Sequence, residues 1–109
     1  MKAKERDIKI ARSVKNQLNR KLGNNLVSVI LYGSRAEGTA KKDSDLDLFL
    51  LMRKKPRYGS HQDDAIVEVA NKGLEKYNIQ ISPVVYSITS YRKQNNLSFI
   101  KAVNKGVRI

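Results

Sequence analysis

The 109-residue chain carries 22 Lys and Arg against 10 Asp and Glu, a formal net charge of +12, with 40% hydrophobic residues and no cysteine. That length suits a single domain (1–109) with one modest core, and the apolar content is that of a folded chain rather than a disordered one. The cysteine count excludes a disulfide scaffold and a thiolate nucleophile, apolar runs of about five residues fall far short of the ~18 a membrane span needs, and the charged N-terminus lacks a secretory apolar stretch, so a cytoplasmic protein is the expectation.

Residues 4–22 place Ile8, Ala11, Val14, Leu18 and Leu22 at three- and four-residue spacing, which predicts an amphipathic helix stopped at Gly23. Leu26–Tyr32 is short, apolar and β-branched, a buried strand. Residues 33–43 are rich in Gly, Ser, Thr and charge and read as a loop or short helical turn. Residues 45–52 begin in alternation and end in a continuous apolar run, as a strand does when it enters a core from a polar rim. A basic loop follows at 53–59, broken by Pro56. Ser60 and Asp63 form the S-x-x-D capping pattern of a helix running to about Tyr77, with Ala65, Val69 and Leu74 on its apolar side. Residues 79–86 read as a third strand, which Pro83 places at an edge or a bulge. A last helix over 97–105 has Gly106 just past its end, and 107–109 can add a terminal strand. Strands alternating with helices predict an α/β (α+β) layer, helices against a small sheet.

The positive surplus suits polyanionic partners such as nucleic acid, nucleotide phosphates or an acidic protein, or it serves solubility alone. Five Tyr and two Phe are few for a single-strand stacking platform. Asp43, Asp45 and Asp47 form an acidic island among Lys41, Lys42, Arg53, Lys54, Lys55 and Arg57. On a strand, Asp45 and Asp47 point to one face, about 6.5–7 Å apart. At an effective dielectric of about 20 they repel by roughly 2.5 kcal/mol, which a divalent cation such as Mg²⁺ offsets. The plain alternative is one Asp capping a turn and one solvated. Gly33-Ser34, directly after a strand, permits close approach of a phosphate, or is an ordinary strand-to-helix turn.

Neighbouring motifs fail. Gly33-x₄-Gly38 is followed by Thr39-Ala40 where a P-loop needs Lys-Ser/Thr, and Leu48 stands where an EF-hand that begins at Asp43 needs Gly. No G-x-S-x-G elbow exists, and His61, the one histidine, reads as a surface residue rather than a base.

The stretch LYGSRAEGTAKKDSDLDL at 31–48 resembles the signature of the polymerase-beta-like nucleotidyltransferase superfamily: hydrophobic-Gly-Ser, ten residues, Asp-x-Asp. It looks most like the single-domain minimal nucleotidyltransferases, whose length the chain shares. The resemblance implies the nucleotidyltransferase fold, a small mixed sheet carrying the site and backed by helices. It also implies transfer of NMP, with ATP the expected donor, from an NTP to a protein or small acceptor with Mg²⁺. Carried over, Gly33 and Ser34 hold the triphosphate, Arg35, Lys41 and Lys42 stand where they could add phosphate contacts, and Asp45 and Asp47 bind the metal and carry catalysis.

The pattern departs from the family at one point. Catalytic members use a third carboxylate on a later strand, whereas the matching position here is Gln80 and no Asp or Glu follows Lys76. Losing a general base typically costs 10²–10⁴ in rate. Three readings follow: an active nucleotidyltransferase; a catalytically impaired nucleotide-binding subunit or antitoxin paired with a helical HEPN-type protein; or a basic nucleic-acid-binding protein whose best feature is the loop 53–57. The edge strand also leaves a homodimer open.

Overall fold

Four apolar, β-rich segments pair into one mixed sheet in the computed structural model, which describes residues 2–109. They are β1 (Leu26–Tyr32), β2 (Leu46–Met52), β3 (Ile81–Ser87) and β4 (Val107–Arg108), in the spatial order β3-β2-β1-β4. β1 runs antiparallel to both β2 and β4, whereas β2 and β3 are parallel. A parallel pair needs a crossover, and α3 (His61–Tyr77) supplies it. The remaining helices are α1 (Glu5–Leu22), the single turn α2 (Ser34–Glu37), α4 (Ile88–Lys93) and α5 (Ser98–Asn104). Among the described residues no helix is long and apolar enough to cross a membrane.

The two-residue side-chain period divides β2 between two cores. Leu46, Leu48, Leu50 and Met52 join Val29 and Leu31 beneath α1 and α3, where Ile10, Ala11, Val14, Leu18, Ile66 and Val69 close the layer. On the opposite face Phe49 packs with Ile100 and Val103 of α5, ringed by Tyr32, Tyr86, Tyr91 and Phe99. Burial on both faces is why 48–52 is apolar at every position. At 45–47 this second face is no longer covered, and its side chains become carboxylates.

Several expectations shift in detail. The buried line of α3 runs through Ile66, Val69 and Gly73; Ala65 is half-buried and Leu74 is exposed, not on the apolar side. Gly73 sets this rotation, since a Cβ there would lie 2.7 Å from Ile81 Cγ1. On α1 Ile8 is half-buried while Ile10 and Asp7 are buried. β3 begins at Ile81 rather than 79, because Asn78 ends α3 in the left-handed region (φ 55°) and the chain needs two residues to turn. β3 is an edge strand, where Pro83 is tolerated. α4 was not expected; Ser87 caps it, accepting from Ser90 N–H at 3.1 Å. Gly106 follows the C-cap Lys105 without a left-handed φ, and a Cβ on it would strike the Leu31 carbonyl and lie 2.8 Å from Ile30 Cγ2.

One buried ion pair ties these parts together. Arg35 Nη1 donates to Asp7 Oδ1 at 3.0 Å, and both side chains are more than nine-tenths buried. The same guanidinium donates through Nε and Nη2 to the Ser44 carbonyl at 3.0 and 2.8 Å, and through Nη2 to the Lys42 carbonyl at 3.3 Å. Five donors in a rigid fork suit this task as Lys could not. α1, α2 and the loop entering β2 are thereby clamped. Removing either partner strands a buried charge, so Arg35→Ala or Asp7→Ala should each cost about 3–5 kcal/mol in denaturant unfolding. The double variant should cost clearly less than the sum. Additive losses would show that the pair is not coupled.

Candidate functional site

The site forms where β1 ends and β2 begins. β1 runs out at Tyr32, and Gly33 turns the chain with φ 78° and ψ −160°. A side chain is excluded there twice over: the φ is strained for L-residues, and a Cβ would sit 2.5 Å from Asp47 Oδ2. The Gly33 carbonyl then accepts from Ala36 and Glu37 N–H, closing α2. That turn ends at Gly38 (φ 76°), whose hydrogen position faces the Lys2 carbonyl, and Thr39 N–H returns to the Ser34 carbonyl at 3.0 Å. Gly33 and Ser34 therefore stand at the edge of the acidic pair, with the Gly33 backbone against Asp47.

β2 brings the carboxylates up on the face left open by α4 and α5. Asp47 is half-buried, opposite Tyr32 in the β1–β2 ladder and beside Ser82 in the parallel β2–β3 register. Asp45 is exposed, and its Oδ2 accepts a hydrogen bond from Ser82 Oγ at 3.0 Å. Burial, and after it the charge of Asp45, push the Asp47 carboxyl pKa above its ordinary value. Burial, and after it the charge of Asp47, push the Tyr32 phenol pKa up as well. Among the described residues no Lys or Arg forms an ion pair with either carboxylate, despite the chain's twelve surplus positive charges. Two hard oxygen donors side by side, with no cationic side chain paired to them among the described residues, fit a divalent cation that completes its shell with water or phosphate oxygens.

Two expected site residues stand elsewhere. Arg35, matched to the nucleotide contacts, is buried and turned inward on Asp7 and the 42–44 carbonyls; the paired charge stabilises the loop instead of facing a phosphate. Gln80 precedes β3, exposed between buried Ile79 and Ile81, and its carbonyl accepts from Leu46 N–H at 2.8 Å. The β3 side chain that reaches the carboxylates is that of Ser82. No group of three or more His, Cys, Asp or Glu forms a metal cluster among the described residues. Lys41 and Lys42 are exposed on the loop, and His61 is exposed at the start of α3, after the far end of β2.

Sequence reasoning missed Ser82 and Tyr32. The alternation of Ser82, Val84 and Tyr86 against Ile81, Pro83 and Val85 was the available signal for Ser82; its register with Asp47 was not. A raised Asp47 pKa also has a consequence for stability. The folded state holds that proton more tightly than the unfolded chain, so the contribution is complete below the ordinary carboxylate range and lost as pH rises through the elevated value. At pH 7 without divalent cations, Asp47→Asn should therefore raise Tm, by a small amount because solvent screens a half-buried pair. The gain should vanish near pH 3. An unchanged or lower Tm at pH 7 would contradict the electrostatic picture.

Comparison with known proteins agrees with this geometry. The family model described as "Nucleotidyltransferase domain" matches residues 11–105. The chain is similar to three proteins of Methanocaldococcus jannaschii, each named "Putative protein adenylyltransferase". MJ0141 is 34% identical over 103 residues, covering 94% of this chain and 97% of that protein. MJ0604 is 29% identical over 94 residues, covering 86% and 87%. MJ1305 is 34% identical over 65 residues, 60% of this chain and 44% of that protein. With the family model spanning residues 11–105 and MJ0141 matched over nearly its whole length, the chain belongs to the nucleotidyltransferase-domain family.

Proposed function

We propose that the chain is a Mg²⁺-dependent adenylyltransferase that moves AMP from ATP to a hydroxyl of a protein acceptor. The observation that carries this reading is the Asp45–Asp47 pair, bridged by no Lys or Arg among the described residues and packed against the Gly33 backbone, where a Cβ would meet Asp47 Oδ2. The relatives' shared name supports the adenylyl donor and the protein acceptor.

Asp45 and Asp47 would hold Mg²⁺, which supplies charge neutralisation at the phosphates and a fixed in-line geometry. Gly33 and Ser34, at the turn beside Asp47, would meet the triphosphate, with the Ser34 hydroxyl donating to its oxygens. The acceptor oxygen bonds to the α-phosphorus, the bond from that phosphorus to the β-bridging oxygen breaks, and pyrophosphate leaves. Ser82 is a poor proton acceptor at neutral pH, so the acceptor's proton passes to solvent or to a group the acceptor brings. With labelled ATP and Mg²⁺, label should enter acceptor proteins of the native host, and Asp45→Asn or Asp47→Asn should abolish it while the fold survives. Full transfer by either variant would overturn the assignment.

Ser82 also favours a second reading, a nucleotide-binding subunit with little turnover, such as an antitoxin that masks a helical HEPN-type partner. The two readings part at Ser82→Asp. In an active enzyme lacking only a base, the new carboxylate should raise the transfer rate by tenfold or more, within the 10²–10⁴ that such a group supplies. In a binding subunit it should leave transfer undetectable.

A further inference from the structure

The acidic site occupies one end of β2, and the densest positive charge lies at the other. Seven strand residues at about 3.3 Å each separate the two by roughly 20 Å. There the chain reads Arg53-Lys-Lys-Pro-Arg-Tyr-Gly59, four cations without a carboxylate. Tyr58 is 100% exposed, whereas the chain's other six aromatic residues are buried or half-buried.

The loop is held in place. Asn25 Nδ2 donates to the Lys54 carbonyl, and Lys54 N–H donates to Asn25 Oδ1, both at 2.9 Å. Arg53 Nε donates to the Asn24 carbonyl at 2.8 Å, and Gly59 N–H to Asp63 Oδ2 at 2.9 Å. Arg53 is thus occupied. Lys54, Lys55 and Arg57 are exposed and take part in no ion pair among the described residues. With Pro56 and His61 they line an open groove of about 490 Å³, and Tyr58, next to Arg57 in the chain, stands outside that lining, free in solvent.

We propose that this loop binds single-stranded nucleic acid, with the Tyr58 ring stacked on an unpaired base and Lys54, Lys55 and Arg57 on the flanking phosphates. Cations alone would suit any polyanion. A fully solvated ring set among them, on a loop already ordered, selects a partner with a flat apolar face beside each charge, and only an unstacked nucleobase offers that repeatedly. A second basic groove, lined by Lys9, Arg12, Arg20 and Lys76, has only Tyr77 beside it, and that ring is half-buried beneath Lys76. The proposal is independent of the transfer reaction, because none of these residues touches the acidic pair.

Fluorescence anisotropy with labelled twelve-nucleotide oligo-U and oligo-dT, on the whole chain from 50 to 200 mM NaCl, tests it. Wild type should bind with a slope of log K against log salt near −2, about −0.7 for each of three phosphates. Tyr58→Ala should weaken binding about tenfold with the slope unchanged, because one base–aromatic stack is worth roughly 1–3 kcal/mol. Tyr58→Phe should restore it, and Lys54→Ala/Lys55→Ala/Arg57→Ala should flatten the slope. Wild-type affinity in Tyr58→Ala would overturn the proposal, and so would loss of binding in Arg12→Ala/Arg20→Ala with the loop variants unaffected. Binding of poly-glutamate as tight as that of the oligonucleotides would assign the loop to an acidic protein instead.

Discussion

Two carboxylates held side by side, with no Lys or Arg paired to them among the described residues, are the constraint on which the site depends. Asp45, just before β2, and Asp47, on it, both stand beside Ser82, and burial ahead of Asp45's charge raises the Asp47 pKa. The chain has 22 Lys and Arg, yet none among the described residues pairs with Asp45 or Asp47, while surface ion pairs such as Lys72–Glu68 form elsewhere. Folding gains nothing from that arrangement, which is the ground for proposing a cation there. The backbone conforms to it at Gly33, where no side chain could coexist with Asp47.

The approach to the pair is fixed by the opposite device, a charge pair fully compensated and buried. Arg35 holds Asp7 of α1 with one nitrogen and the carbonyls of the 42–44 loop with the others, so the segment entering β2 has one path. The site is therefore built by α1, α2 and three strands jointly. It gains rigidity from a residue of its own signature that faces away from any ligand.

Much of this was legible in the sequence. The spacing of Ala11, Val14, Leu18 and Leu22 located α1, and the switch in 45–52 from alternation to a continuous run located both the central strand and the rim where its carboxylates emerge. The short-range rule that i and i+2 share a strand face placed Asp45 beside Asp47. What failed to show was non-local. Local sequence suggests a phosphate contact for Arg35 because nothing in its neighbourhood reveals Asp7, 28 residues upstream. Gln80 was matched to the third position because the parallel register that brings Ser82 beside Asp47 depends on how α3 docks. That docking turns on Gly73 against Ile81, which also moved Leu74 to the surface. The fully exposed Tyr58 was likewise invisible among seven aromatics.

The account stands on the acidic pair being a cation-dependent phosphate site. Calorimetric titration of ATP into the protein, with and without Mg²⁺, beside Asp45→Asn/Asp47→Asn, measures this without knowledge of the acceptor. Binding that requires Mg²⁺ and is lost in the double variant is the expected result. Binding by the wild type that is indifferent to Mg²⁺, or equal in the double variant, would contradict it.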